Sequence, residues 1–248
     1  MNVKLIDYQK NALDLLIYTK NTRLKSELTL SNISAWPIEK KLDHLDYMKK
    51  TIQSSFEFVK YTFDITGVSR TFTHQLVRTR NAVYAQESMR TVDVSESQFR
   101  NPSKNFDIEM AQEYSRLAYK NAIANGVPLQ DAREVLPTGI ETSIVFSTHL
   151  REIMHMAEVR LCKRTSGEYQ EVFKEIKRQI VDVHPYFESM IEVYCVKTGI
   201  CCFPNYNDCP VQKHTVVVSD KIKENIKDIW ANTDHVAEPK IISLGKTM

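Results

Sequence analysis

The sequence predicts an α+β fold: a single domain in which long helices pack on a central antiparallel or mixed sheet. Three observations carry this. Helix-period and strand-period stretches are both present, but they do not alternate as βαβ units. The 248 residues are 42% hydrophobic and 26% charged, the balance of a globular chain able to bury a core. Only 6 glycines and 8 prolines are present, which leaves little for long loops or low-complexity tracts.

The elements follow in order. NVKLI at 2–6 reads as a short first strand, and residues 9–20 as a helix with Leu13, Leu16 and Ile17 on one side. Residues 21–35 are polar and mixed, and no element is expected there. Pro37 suits a first helical turn, and Ile38, Leu42, Leu45 and Met48 form the apolar stripe of a helix to about residue 52. FEFVKYTFDIT at 56–66 alternates as a strand, with a slip near Val59 that reads as a bulge. Gly67 is expected to end it and Ser69 to cap the helix SRTFTHQLVRTR. Residues 105–125 read as an amphipathic helix with Asp107 and Glu109 in front and Gly126 and Pro128 behind. GIETSIVF reads as a short strand, after which Ser147 is expected to cap a helix running through Arg160. A last long helix covers about 168–184 and stops before Pro185. The less regular end carries an expected strand, HTVVVS, and a short helix at 220–231.

Composition excludes several classes. A formal net charge of +2 does not make a nucleic-acid surface. The opening MNVKLIDYQKNALDLLIY is broken by Asp7, Gln9, Lys10, Asn11 and Asp14, so it does not read as a signal peptide. No apolar run approaches membrane-spanning length. The expectation is a cytoplasmic protein with no membrane and no nucleic-acid partner. The five cysteines are an odd number and are expected to be reduced. Cys195, Cys201, Cys202 and Cys209, with His214 beyond, match no standard zinc-ligand spacing, so no metal is expected.

Chemistry concentrates in two places. Residues 70–100 hold five arginines (Arg70, Arg78, Arg80, Arg90, Arg100) and no lysine. Planar guanidinium forks suit bidentate binding of phosphate or carboxylate. Gln75 and Arg78 are three apart and would share a helical face, and Ser88 offers a hydroxyl that both donates and accepts. The bland alternative is a solvated face of ion pairs to Glu87, Asp93 and Glu96. Downstream, Arg133 lies in DAREVLP, and HLREIMHMAEVR carries His149, Arg151, His155 and Arg160. On a helix His149, Met156 and Arg160 would fall nearly on one line, with Arg151 and His155 as neighbours. There is no glycine-rich phosphate loop, no G-x-S-x-G and no H-E-x-x-H. A bound nucleotide would therefore be held by arginines and not by a backbone cradle.

GVSRTFTHQLVRTRNAVYAQESMR resembles the signature region of the flavin-dependent thymidylate synthases, whose pattern is Arg-His-Arg, seven residues, then Ser. Here it stands as Arg78-Thr79-Arg80, seven residues, Ser88, followed by Arg90. DAREVLP, HLREIMHMAEVR and SSFEF at 54–58 resemble three further family segments, in the family's order over roughly residues 40–190. The resemblance implies an α+β homotetramer with active sites shared between subunits. It implies FAD as cofactor, NADPH or NADH as reductant, and methylenetetrahydrofolate as the one-carbon donor that converts dUMP to dTMP. Carried over, Gln75, Arg78, Gln86, Ser88, Arg90, Arg133 and Arg160 would bind dUMP, with Arg160 catalytic at the pyrimidine edge. Ser54, Arg78, Thr79, Arg80, Gln86, His149, Arg151 and His155 would bind FAD. Residues 1–200 would form the catalytic domain, and 201–248 a C-terminal extension packed on it.

The chain departs from that pattern at named positions. Thr79 stands for the signature histidine, Gln86 for a glutamate, Ala85 for an asparagine, His149 for a flavin-side asparagine, and Ser55 and Phe58 for a proline and a histidine. The arginines attributed to the nucleotide all stand. Two other readings stay open from sequence: an enzyme altering carbon 5 of a related pyrimidine nucleotide by hydroxymethylation or methylation, and a non-catalytic nucleotide-binding paralogue.

Overall fold

The computed structural model describes residues 1–23, 27–201, 209, 211, 216 and 217. The chain divides into two compact units, Met1–Val193 and Tyr194–Met248. In the first, strands β1 (Asn2–Tyr8), β2 (Lys60–Ser69), β3 (Ala82–Gln86) and β4 (Glu141–His149) form one sheet of order β1-β2-β4-β3. All its pairings are antiparallel. Alternate residues point inward. Tyr61, Phe63 and Ile65 of β2 and Ile144 and Phe146 of β4 are fully or almost fully buried, as a half-covered sheet requires. Phe146 is in register with both Phe63 and Tyr84, and its ring stacks on each at 6.4 and 5.6 Å. This cross-strand row locks the register of β3, the shortest strand of the sheet.

Helices α1 (Ala12–Thr22), α2 (Leu30–Ser34) and α3 (Ile38–Thr51) precede β2, and α4 (Arg70–Leu76) joins β2 to β3. Next come α5 (Phe106–Ala124) and α6 (Leu129–Ala132), then, after β4, α7 (Leu150–Arg160) and α8 (Gly167–Val183). Their buried stripes, Leu13, Leu16 and Ile17 in α1 and Val172, Phe173, Ile176 and Ile180 in α8, complete the main core with the sheet. A smaller core of Val94, Tyr119, Ala132 and Ile140 supports the segment after β3. In the second unit the described residues form α9 (Tyr194–Thr198) and a parallel pair, β5 (Ile200–Cys201) and β6 (Val216–Val217). Cys202, His214 and the expected helix at 220–231 lie outside the described residues, as does most of HTVVVS.

Several boundaries differ from the sequence reading, each for a local reason. Residues Gln53–Phe58 form a 3-10 turn, so Phe56 and Phe58 are not strand residues, and β2 starts at Lys60. The irregularity in β2 falls between Ile65 and Val68 instead of near Val59. Gly67 sits there at φ 65 inside the strand and does not end it. A side chain at Gly67 would meet the Met1 backbone nitrogen at 3.1 Å, so the bulge needs glycine twice over. Ser147 stays in β4, and His149 caps α7 by accepting from the Glu152 N–H at 3.1 Å. The caps expected at Ser69 (to Phe72 N–H, 3.0 Å) and the helix of 105–125 (Asn105 to Ile108 N–H, 3.0 Å) are present. Helix α2 and strand β3 have no counterpart in the sequence reading.

Candidate functional site

The arginine-rich segment is a pinned loop. Helix α4 ends at Leu76, so Arg78 lies past it and does not share a helical face with Gln75; its N–H instead closes a turn on the Gln75 carbonyl at 3.3 Å. The Tyr84 hydroxyl reaches back to the carbonyls of Leu76 (2.9 Å) and Thr79 (2.8 Å). Thr148 Oγ1 donates to the Asn81 carbonyl at 2.6 Å, and Asn81 Nδ2 donates to the buried Glu152 carboxylate at 3.0 Å. The loop backbone from 76 to 81 is thus held from β3 and β4, and the Asn81 side chain from α7, while Arg78 and Arg80 are exposed.

Arg78, Arg80 and Arg90 are exposed and make no side-chain hydrogen bond, ion pair or ring contact with any described residue. The ion pairs that composition allowed are made elsewhere. Glu96 pairs with Lys120 at 2.7 Å, Glu87 accepts from the Ser143 N–H at 3.1 Å, and Asp93 accepts from Ser95. Unpaired guanidiniums on a rigid loop are the donor set for an external anion. Ser88 Oγ is exposed and accepts from the Arg90 N–H at 3.3 Å in a tight turn.

Arg133 lines a cleft of about 300 Å³ with Arg70, His74, Met89, Glu134, Leu136, Pro137, Thr138 and Ile140. Burial and the Arg133 charge both hold the Arg70 pKa below its ordinary value. A guanidinium stays protonated even so, and Arg133 is offset in the same cleft by Glu134, 3.6 Å away. Arg70 also donates to the Glu87 carbonyl at 3.0 Å, which fixes the residue before Ser88. The sequence reading counted Arg70 among the arginines but gave it no role. Its place directly after the Ser69 cap was legible, but the Glu87 contact that gives it a role is made 17 residues on.

Helix α7 carries the remaining candidates. His149 is its cap and not a helical residue, and Met156 is buried, so the expected line of His149, Met156 and Arg160 does not form. Arg151 pairs with Glu57 of the 3-10 turn at 2.5 Å, beside Ser54, which accepts from Arg23. His155 is exposed and lies 3.7 Å from Glu152. Gln86 donates to Thr73 Oγ1 at 2.8 Å. Arg160, half-buried, lies 4.2 Å over the ring of Tyr169. The Tyr169 hydroxyl faces Thr79 and Arg160 without a hydrogen bond of full geometry. Burial pushes its pKa up, and the Arg160 charge opposes that. The structure therefore brings His149 and His155 to Glu152, with Asn81, and Thr79 and Arg160 to Tyr169, while Arg151 turns to Glu57; the sequence reading singled out none of Asn81, Glu152 and Tyr169. Among the described residues no group of His, Cys, Asp and Glu is arranged to hold a metal. No helix there is long and apolar enough to cross a membrane.

Fold and site together define an α+β protein in which Arg78, Arg80 and Arg90 stand exposed and without a partner among the described residues. The model of the thymidylate synthase complementing protein family matches residues 4–186. A flavin-dependent thymidylate synthase of Pyrococcus furiosus is 30% identical over 223 residues, 81% of this chain and 89% of that protein. One of Saccharolobus solfataricus is 34% identical over 178 residues, 69% of this chain and 66% of that protein. The crystal structure of flavin dependent thymidylate synthase ThyX from Helicobacter pylori, complexed with FAD and dUMP, matches with a TM-score of 0.65. That match has 17% identity and covers 77% of this chain and all of that one, a likeness of fold. The chain belongs to the thymidylate synthase complementing protein family, the flavin-dependent thymidylate synthases.

Proposed function

We propose that the protein is a flavin-dependent thymidylate synthase that converts dUMP to dTMP, with FAD as cofactor. The observation that carries this is the set of guanidiniums at Arg78, Arg80 and Arg90 without a partner among the described residues, the first two on a loop whose backbone is held by Tyr84 and Thr148. They fit the diphosphate of a dinucleotide and the phosphate of a nucleotide, and no carboxylate among the described residues competes for them. Bound FAD supplies the hydride for the reduction. Methylenetetrahydrofolate as one-carbon donor and NADPH or NADH as the flavin's reductant belong to the same proposal, as does a cytoplasmic setting.

In this reading Gln75, Arg78, Gln86, Ser88, Arg90 and Arg133 hold the nucleotide. Arg160 places a fixed positive charge at the pyrimidine edge, which lowers the ring N–H pKa and favours the ionised, carbon-5-nucleophilic form. Ser54, Arg78, Thr79, Arg80, Gln86, His149, Arg151 and His155 line the flavin. Ser88 orients and does not attack, since its hydroxyl meets a backbone N–H and no base. All these residues lie within Met1–Val193, which we take as the catalytic part. A homotetramer with sites shared between subunits is supported by α5, which exposes Phe106, Met110, Tyr114 and Leu117 as an apolar stripe.

The test is the visible spectrum of the purified protein with FAD and then dUMP, followed by tritium release from carbon-5-labelled dUMP. Stoichiometric flavin that is perturbed by dUMP, with tritium released and a methyl product by mass, is expected. Nucleotide binding without flavin, or a hydroxymethyl product, would overturn the proposal.

A further inference from the structure

The first turn of α8 grips three things at once. Glu168 accepts from the N–H and the hydroxyl of Ser69, the cap of α4, at 2.9 and 2.5 Å. Gln170 Nε2 donates to the carbonyls of Leu161 and Cys162 at 3.2 and 2.8 Å, groups that the end of α7 leaves free. Between them Tyr169 is 1% exposed. Its ring packs on Phe72 of α4 at 4.9 Å between centroids and lies under the Arg160 guanidinium at 4.2 Å. No described carboxylate pairs with Arg160. The aromatic face is therefore what orders this long side chain, and three consecutive residues tie that face to both helices beside it.

We propose that Tyr169 is the positioning residue for Arg160. Its ring is the platform that holds the guanidinium flat, with one face covered and its N–H edges free for the pyrimidine. The inference rests on the reading of Arg160 as the pyrimidine-side cation. An arginine on a flexible stem would spend most of its time in other rotamers, and a fixed stack removes that loss before substrate arrives. A tyrosine suits the place because a π face attracts a desolvated cation and an aliphatic side chain does not. The ring face is the larger contact, since the hydroxyl faces Arg160 and Thr79 but makes no hydrogen bond of full geometry.

Three variants of the FAD-loaded enzyme test it: Tyr169→Phe, Tyr169→Leu and Tyr169→Met. Methionine fills the space without a π face and serves if leucine does not fold; thermal midpoints report folding for each. Tritium release across pH gives kcat and KM. Leucine and methionine are expected to lower kcat about tenfold with KM for dUMP nearly unchanged, and to move the acid limb of kcat to higher pH. Phenylalanine is expected to stay within about twofold of wild type. In an Arg160→Ala background, Tyr169→Leu should change dUMP affinity, read from the flavin spectrum, by less than about twofold. Wild-type kcat in both aliphatic variants overturns the inference. So does a loss in phenylalanine equal to that in leucine, or a change of more than about twofold in dUMP affinity from Tyr169→Leu in the Arg160→Ala background, which would mean that Tyr169 acts on the nucleotide without Arg160. Absence of tritium release from the wild-type enzyme would instead sink the functional reading itself, so the two failures are distinguishable.

Discussion

Replacing Glu168 separates charge from shape at the base of the site. Its side chain is 8% exposed and also lies 3.4 Å from the guanidinium of Arg100. The Ser69 hydroxyl donates to it at 2.5 Å, which leaves that oxygen's lone pairs for the Phe72 N–H at 3.0 Å. Glu168→Ala removes two hydrogen bonds to a charged acceptor and strands the Ser69 N–H. Hydrogen bonds to charged groups contribute about 1.5–3 kcal/mol each, and breaking one side of a buried charged contact costs about 3–5 kcal/mol. Glu168→Gln keeps one acceptor oxygen for the Ser69 N–H and loses the charge. It also puts an NH2 where the second oxygen accepted from the Ser69 hydroxyl, which must turn to accept instead, for about 1–2 kcal/mol in all. At about 2–4 °C per kcal/mol for a domain of this size, alanine should lower the thermal midpoint by about 6–20 °C and glutamine by about 2–8 °C. The assay is thermal unfolding by circular dichroism at fixed protein and FAD concentrations, because bound ligand and assembly shift the midpoint. Equal shifts in the two variants, or a shift under about 2 °C for alanine, would refute the reasoning.

Arg160→Ala should abolish tritium release while FAD stays bound, because the lost charge acts on the pyrimidine; near-normal turnover would remove Arg160 from the chemistry. Tyr84→Phe frees the carbonyls of Leu76 and Thr79, so stability should fall by about 1–2 kcal/mol in urea unfolding. FAD should also bind about fivefold more weakly, as about 1 kcal/mol of loop ordering is then made up on binding, and an unchanged FAD titration would refute this. His184 is buried against Tyr8, Tyr61, Tyr186 and Phe187, with Nδ1 2.8 Å from the Tyr61 hydroxyl. Burial lowers its pKa from 6.5, against an opposing backbone contact from Lys10. The unfolded chain then binds the extra proton first, so the stabilisation from this group is full above about 6.5 and is lost as pH falls toward and through the folded value. His184→Gln should shrink the difference between urea midpoints at pH 7.5 and 5.5, and an unchanged difference would count against it.

The fold was legible wherever a period and a cap coincided. The helices at 38–51 and 106–124 and the cap at Ser69 follow from local pattern. What escaped was set by tertiary contacts. Strand β3 has only five residues, and its pairing with β4 and the Tyr84–Phe146 stack hold it where AVYAQ alone would not. The 3-10 turn at 53–58 looked like a strand because its apolar residues fall at positions a strand would also use. In the site, the arginines were legible because a lysine-free cluster is unusual. Asn81, Glu152 and Tyr169 were not, because Asn81 and Glu152 meet across 71 residues and Tyr169 meets Arg160 only through the turn between α7 and α8. Their types, an amide, a carboxylate and a phenol, carry no pattern of their own.

The departures from the family pattern acquire a physical sense once their partners are known. His149 stands where the resemblance expects asparagine, and its Nδ1 caps α7 by accepting the Glu152 N–H at 3.1 Å. Asparagine is a preferred cap for the same reason, a side-chain acceptor one turn from an unpaired N–H. The exchange therefore keeps the start of the helix that carries Arg151, His155 and Arg160. Gln86 replaces a glutamate but keeps a polar link to α4, with its amide donating to Thr73 Oγ1 at 2.8 Å where a carboxylate would accept. Thr79 is the largest change, yet its carbonyl is held by Tyr84 at 2.8 Å and does not depend on the side chain. The smaller side chain lies beside the buried Tyr169 hydroxyl. What the exchanges keep is the backbone geometry that aims Arg78, Arg80 and Arg160. What they change is the imidazoles, lost at Thr79 and Phe58 and gained at His149, and one negative charge, lost at Gln86. An enzyme built this way should hold its nucleotide by the same cations as its relatives while its flavin affinity differs, so the FAD titration is where its divergence will be most visible.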